Sequence, residues 1–98
     1  MSFLKKLFGP KTDYKALILA GAKVIDVRTR AEFAQGHYKG SINIPLDELP
    51  KKLSTLKKED VIITCCRSGM RSSNAKNILK SAGFAEVHNG GPWTSLPK

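Results

Sequence analysis

Cysteine is scarce in this 98-residue chain, and its two examples stand side by side as Cys65 and Cys66. Neighbouring cysteines build no disulfide framework, because bridging them demands a strained peptide geometry. Two thiols without further Cys or His ligands at suitable spacing make no structural zinc site, so no metal is expected. Long apolar runs are missing too. None approaches the roughly 18 residues that cross a bilayer, and stable membrane insertion is not expected. Residues Met1 to Pro10 hold two lysines but no continuous apolar stretch and no small-residue cleavage site, which argues against a signal peptide and for the cytoplasm. Acidic residues are also few, 8 against 17 basic ones, for a formal net charge of +9.

That charge is unevenly placed. Residues 24–60 nearly balance, with seven basic and six acidic residues, whereas 1–23 and 61–98 each carry five basic residues against one acidic. The chain shows no interleaved Arg/aromatic pattern and no groove-reading motif, so nucleic acid is not an expected partner. Attraction of small anions to the basic C-terminal part is the more economical reading. A hydrophobic content of 41% with 26% charged residues is ordinary for a soluble domain, and the length suits one core.

The expected organisation is an N-terminal segment over residues 1–11 and one domain over 12–98. In the segment, Phe3, Leu4, Leu7 and Phe8 surround Lys5-Lys6 at helix-like spacing and stop at Gly9-Pro10. A flexible terminus or a flap over the domain's own surface is favoured over a membrane-touching element. Thr12 or Asp13 caps a short helix with Tyr14, Leu17 and Ile18 on its apolar side, stopped by Gly21. Val24-Ile25-Asp26-Val27 reads as a strand, Arg30 to Gln35 as a short helix closed by Gly36, and 36–45 as a loop with a short extended piece. Leu46, Leu49, Leu53 and Leu56 mark a helix face, with Asp47 its N-cap and Pro50 in the first turn. Val61 to Cys65 is a β-branched strand, followed by a helix from Arg71 to Ala82 with Ala75, Ile78, Leu79 and Ala82 on one face. Glu86-Val87-His88 is a last edge strand, Asn89-Gly90-Gly91-Pro92 a turn, and Trp93 with Leu96 closes the domain. Strands alternating with helices predict an α/β fold, a small, mostly parallel sheet flanked by helices on both faces. In such sheets ligands bind at the carboxyl ends of the strands, where Cys66 falls.

Cys66-Arg67-Ser68-Gly69-Met70-Arg71 is therefore the stretch of chemical interest. A thiol between a strand end and a helix start feels the helix dipole and the unpaired first-turn N–H groups, which favour the thiolate. Arg67 and Arg71 add positive charge. Gly69 permits a positive φ, so that successive N–H groups can point inward as an anion-binding nest.

The ordered set Ile25-Asp26-Val27-Arg28, Glu32-Phe33, Gly36-His37, Gly40, Asn43-Ile44-Pro45, Cys66 to Ser72, Gly90-Gly91 and Trp93 resembles single-domain rhodaneses, over nearly the whole chain from about residue 12 to 96. The resemblance implies a rhodanese-like domain and a thiosulfate-type sulfurtransferase without cofactor. Cys66 would attack the outer sulfur of thiosulfate, sulfite would leave, and cyanide or a thiol would take the sulfur from the persulfide. The N–H groups from Arg67 to Ser72 would stabilise the negative charge. Related phosphatases of this fold place their arginine after Cys-x5. The spacing here is Cys-x4-Arg, a smaller cup that suits sulfur better than a phosphoryl group.

Around Cys66 the roles are expected to divide. Cys65 points the other way in strand alternation and is read as structural rather than as a redox partner. Arg71 braces the loop and attracts anions, Arg67 points outward and steers substrate, and Ser68 either donates to the persulfide or suits the turn. Met70 departs from the small or polar residues expected in the family. Asp26 and Arg28 are expected to pair beneath the loop as support, His37 to pack and hydrogen-bond, and Trp93 to plug the core. The alternative function is a persulfide carrier or regulatory module that acts on a partner protein and turns over poorly alone. Either reading expects a monomer with an accessible sulfur. A sulfur buried away from solvent counts against both.

Overall fold

The computed structural model describes residues 12–98; the expectations for residues 1–11 lie outside them. Asp13 caps helix α1 (Tyr14–Leu19), its carboxylate accepting the Ala16 N–H at 3.0 Å. Strand β1 (Lys23–Asp26) follows, then α2 (Arg30–Ala34). A reciprocal cap opens α2: the Thr29 hydroxyl accepts the Glu32 N–H, and the Glu32 carboxylate accepts the Thr29 N–H. After β2 (Ile42–Asn43) come α3 (Leu49–Lys52), a 3₁₀ turn at Leu53–Thr55, β3 (Val61–Cys66), α4 (Met70–Ser81), β4 (Glu86–Pro92) and a closing 3₁₀ turn at Trp93–Ser95.

The strands lie in the order β2-β1-β3-β4, and each neighbouring pair is parallel. Alternation along β1 and β3 sends Ile25, Val27, Ile62 and Cys66 to one face, where Leu49 of α3 and Ala75 and Leu79 of α4 cover them. The other face takes Val24, Ile63 and Cys65, covered by Leu96 and the apolar side of α1. Helices therefore flank both faces, as the sequence pattern predicts. Each fully buried aliphatic side chain contributes about 1.5–3 kcal/mol of apolar burial, so the central strands dominate stability.

Two elements differ from expectation. Helix α3 is a single turn whose N-cap is Glu48, not Asp47, and no side chain caps it. The Glu48 carboxylate is drawn instead to the Arg30 guanidinium, and the leucine face continues as the 3₁₀ turn. The stretch 89–92 is not a turn: β4 continues through it to Pro92. Thr64 pairs with Asn89 and Cys66 with Pro92, so β4 carries one residue more than β3 between the paired positions. Gly91 lies within this bulge in the left-handed region, at φ 75, which glycine adopts without strain. Gly90 allows close approach, because a Cβ there would stand 2.8 Å from Ile63 Cγ2 and 3.0 Å from the Thr64 carbonyl oxygen. The bulge brings β4 alongside the loop that follows Cys66.

Candidate active site

Cys66 is the last residue of β3, and α4 starts four residues later. Gly69 is the N-cap of α4, in the left-handed region at φ 101, and has no side chain with which to cap. The Cys66 sulfur does so instead, accepting the Gly69 N–H at 3.0 Å and the Ser72 N–H at 3.4 Å. These donors belong to the first turn of a 12-residue helix, whose N-terminal end favours negative charge. Among the described residues no protein acceptor takes the N–H of Arg67 or Arg71. The sulfur is thus enclosed by N–H donors of its own loop.

Burial alone would push the Cys66 thiol up. The Ser72 hydroxyl, when it donates to the thiolate, and the N–H groups of Ser72, Gly69 and Ser68 outweigh it and hold the thiol below its ordinary value. The helix terminus and the arginines are both expected to lower it; the loop donors carry most of the effect, while Arg71 still senses the Cys66 charge. Arg67 is exposed, and the Arg71 guanidinium is gripped by Glu32 through two bonds of 2.6 and 3.0 Å. Cys65 behaves oppositely: burial, then the nearby Asp26 carboxylate, pushes its thiol up to about 12. Its side chain lies in the core on the opposite face of the sheet from Cys66, which fits a structural role.

The expectation of an accessible sulfur is not met. Cys66 has 0% of its surface exposed. Its sulfur turns inward to the donors of its own loop, its side chain packs among Ile25, Val27, Ile62 and Ala75, and the β4 bulge closes the other side. There a Cβ on Gly69 would stand 3.4 Å from the Gly91 Cα.

A scan of protein families matches the rhodanese-like domain over residues 11–90. The chain belongs to the rhodanese-like family. It is 34% identical over 91 residues to thiosulfate sulfurtransferase PspE of Escherichia coli (strain K12), covering 91% of this chain and 88% of that protein. Among solved structures, a rhodanese with anions from E. coli superposes with a TM-score of 0.72 at 35% identity, covering 76% of this chain and 91% of that one. The human single-domain sulfurtransferase TSTD1 reaches 0.76 at 29% identity, covering 83% and 86%.

Around the loop of this rhodanese-like domain, Asp26 and Arg28 pair as expected. Arg28 Nη2 lies 2.7 Å from Asp26 Oδ2, and both side chains are almost fully buried. Arg28 also donates to the Gly36 carbonyl at 2.8 Å and stacks 4.9 Å from the centre of the Trp93 ring. The pair therefore ties the end of β1 to the 36–45 loop and to Trp93, and removing one partner would cost about 3–5 kcal/mol. Arg67 faces a hollow of about 310 Å³ that it shares with Arg28, Glu32, Gln35, Gly36 and Trp93. A larger hollow of about 630 Å³ includes none of the 66–72 loop; Trp93 lines it as well, so this side chain is a partition as much as a core plug. His37 stacks on Phe33 at 3.7 Å and hydrogen-bonds the Phe33 carbonyl, as a packing residue would. Ser68 accepts a long bond from the Met70 N–H at 3.4 Å, which suits a turn role, and Met70 stands 76% exposed beside it.

Three contributors escape the sequence reading. Glu32 holds Arg71 and caps α2 with the same carboxylate; its capping-box spacing after Thr29 was the available signal. Arg71 and then the Thr29 N–H hold the Glu32 carboxyl down from 4.5 to about 2. Thr64 donates its hydroxyl to the Ser72 carbonyl at 2.8 Å, fixing the first turn of α4 to β3. Asn89 reaches the loop from β4 and bonds both Gly69 and Ser72, and nothing local marks it except its place before two glycines.

Proposed function

We propose that this chain is a rhodanese-type sulfurtransferase that moves sulfane sulfur from thiosulfate, or a similar small anionic donor, to a thiol or cyanide through a persulfide on Cys66. The observation that carries the reading is the formed ring of N–H donors around the Cys66 sulfur, at 3.0 Å from Gly69 and 3.4 Å from Ser72. The thiolate attacks the outer sulfur of the donor, the S–S bond of thiosulfate breaks, and sulfite departs with the bond's electron pair. The acceptor then attacks the outer sulfur of the persulfide and returns Cys66 as thiolate. Negative charge stays within the ring throughout, and this is what the N–H groups of residues 67–72 stabilise. Arg67 recruits the anion, Arg71 and Ser72 hold the loop, and Asp26 and Arg28 support it from β1.

The covered sulfur counts against both the enzyme and the relay in this closed arrangement, and each therefore requires the loop to open. In this reading the loop parts to admit the donor, and the N–H groups now turned to Cys66 Sγ shift to the outer sulfur. The same geometry serves a relay to a protein acceptor, with Met70 as an exposed apolar contact beside the loop. Residues 12–98 are the working domain, acting as a monomer in the cytoplasm, where a reactive thiol stays reduced. Sulfite release from thiosulfate with cyanide or thiols as acceptor tests the function. Wild type is expected to turn over and Cys66→Ser to be inert; equal activity in both would refute it.

A further inference from the structure

Asn89 meets the Cys66 loop from outside it, and its amide has one workable orientation. Nδ2 donates to the Gly69 carbonyl at 3.1 Å, while Oδ1 accepts the Gly91 N–H at 2.9 Å. Turned over, the amide would set donor against donor and oxygen against oxygen. Oδ1 therefore faces Ser72 as an acceptor, 2.6 Å from Ser72 Oγ, and that contact requires the hydroxyl to donate. A hydroxyl has one proton. The Gly69 carbonyl at 3.1 Å and the Cys66 sulfur at 3.4 Å compete for it on poorer terms. While the proton points at Asn89, the Ser72 hydroxyl offers the sulfur only its lone pairs, which suits a thiol donating its own hydrogen. A thiolate or persulfide needs the hydroxyl turned round.

We propose that Asn89 is a positioning residue that sets the direction of the Ser72 hydroxyl and so decides when Cys66 is held as a thiol and when as a thiolate. In the resting protein Ser72 accepts from the Cys66 S–H and donates to Asn89. When the thiol proton leaves to solvent, the Ser72 hydroxyl reorients to donate to sulfur, and Asn89 Oδ1 keeps the Gly91 N–H. Ser72 itself loses no proton, and no oxidant or reductant takes part. The ionisable groups around the sulfur are Arg67 of the loop, Cys65 before it, Arg71 of α4, paired with Glu32 of α2, and the Asp26–Arg28 pair at the end of β1. The proposed step leaves both ion pairs in place, so the hydroxyl is what changes.

The proposal rests on Cys66 as the working thiol, and its test uses no sulfur donor. The pH titration of the Cys66 thiolate is followed by ultraviolet absorbance, with Cys66→Ser as the blank. Asn89→Ala removes the competitor and moves the titration to lower pH. Just below the wild-type midpoint, the ratio of thiolate to thiol rises roughly two- to tenfold, the range that one hydrogen bond commands. Asn89→Asp keeps the acceptor, adds negative charge and moves the titration to higher pH. In a Ser72→Ala background, adding Asn89→Ala leaves the titration in place. Asn89→Val serves if Asn89→Ala does not fold. Shifts of the same sign in Asn89→Ala and Asn89→Asp, or an Asn89→Ala shift that persists without the Ser72 hydroxyl, would overturn the proposal, because loop damage alone produces those results. A wild type that takes no sulfur from thiosulfate would sink the transferase reading and leave this ordering standing.

Discussion

The Cys66 sulfur lies 3.4 Å from the Ser72 amide nitrogen, at the place where an N-cap side chain accepts that bond in other helices. In the proposed reaction one atom is thus both the nucleophile and the cap of α4. Cys66→Ser keeps an acceptor there and Cys66→Ala does not. The alanine variant is expected to be about 1 kcal/mol less stable than the serine variant in urea denaturation, the usual worth of a cap. Equal stability would show that the sulfur caps nothing.

The Arg71–Glu32 pair makes stability depend on acid. Because the Glu32 carboxyl is held at about 2 instead of 4.5, its contribution is full above pH 4.5 and is lost as pH falls towards 2. Glu32→Gln removes that contribution. The melting temperature of wild type is expected to drop more between neutral pH and pH 2 than that of the variant, whose curve lies lower at neutral pH. Parallel curves would mean that the pair does not stabilise the fold.

Arg67 is exposed and faces the hollow of about 310 Å³. Arg67→Gln is expected to raise the KM for thiosulfate roughly two- to fivefold with kcat little changed, an effect that shrinks as salt screens the charge. A fall in kcat at constant KM would place Arg67 in the chemical step instead.

Gly90 marks the β4 bulge. A methyl group there would meet Ile63 Cγ2 at 2.8 Å, Leu96 Cδ2 at 3.0 Å and the Thr64 carbonyl oxygen at 3.0 Å. Gly90→Ala is expected to cost about 1–3 kcal/mol, as overpacking does, and to slow sulfur transfer by displacing Asn89. Denaturation and turnover measured on one preparation would check both. A variant as stable and active as wild type would show that the bulge yields freely.

Much of this arrangement was legible in the chain. Alternation along Val61 to Cys66 places Cys65 and Cys66 on opposite faces, and Gly69 marks the positive φ that turns the loop N–H groups inward. Local patterns fixed these features, so they survive in the fold. What was not legible depends on contacts distant in sequence. Glu32 reaches Arg71 across 39 residues, and Asn89 reaches Ser72 across 17. The Asn-Gly-Gly-Pro stretch has the composition of a turn, yet pairing with β3 draws it into a strand. The burial of Cys66 arises in the same way, from loop and β4 closing together, and no periodicity announces it.

The central claim is that Cys66 carries the transferred sulfur. Intact-protein mass spectrometry after incubation with thiosulfate, on wild type and Cys66→Ser, tests it most directly. The predicted result is a gain of one sulfur atom on wild type, removed by cyanide and absent from the variant. Wild type left unmodified by both thiosulfate and a persulfide-charged protein donor, or an adduct that persists in Cys66→Ser, would contradict it.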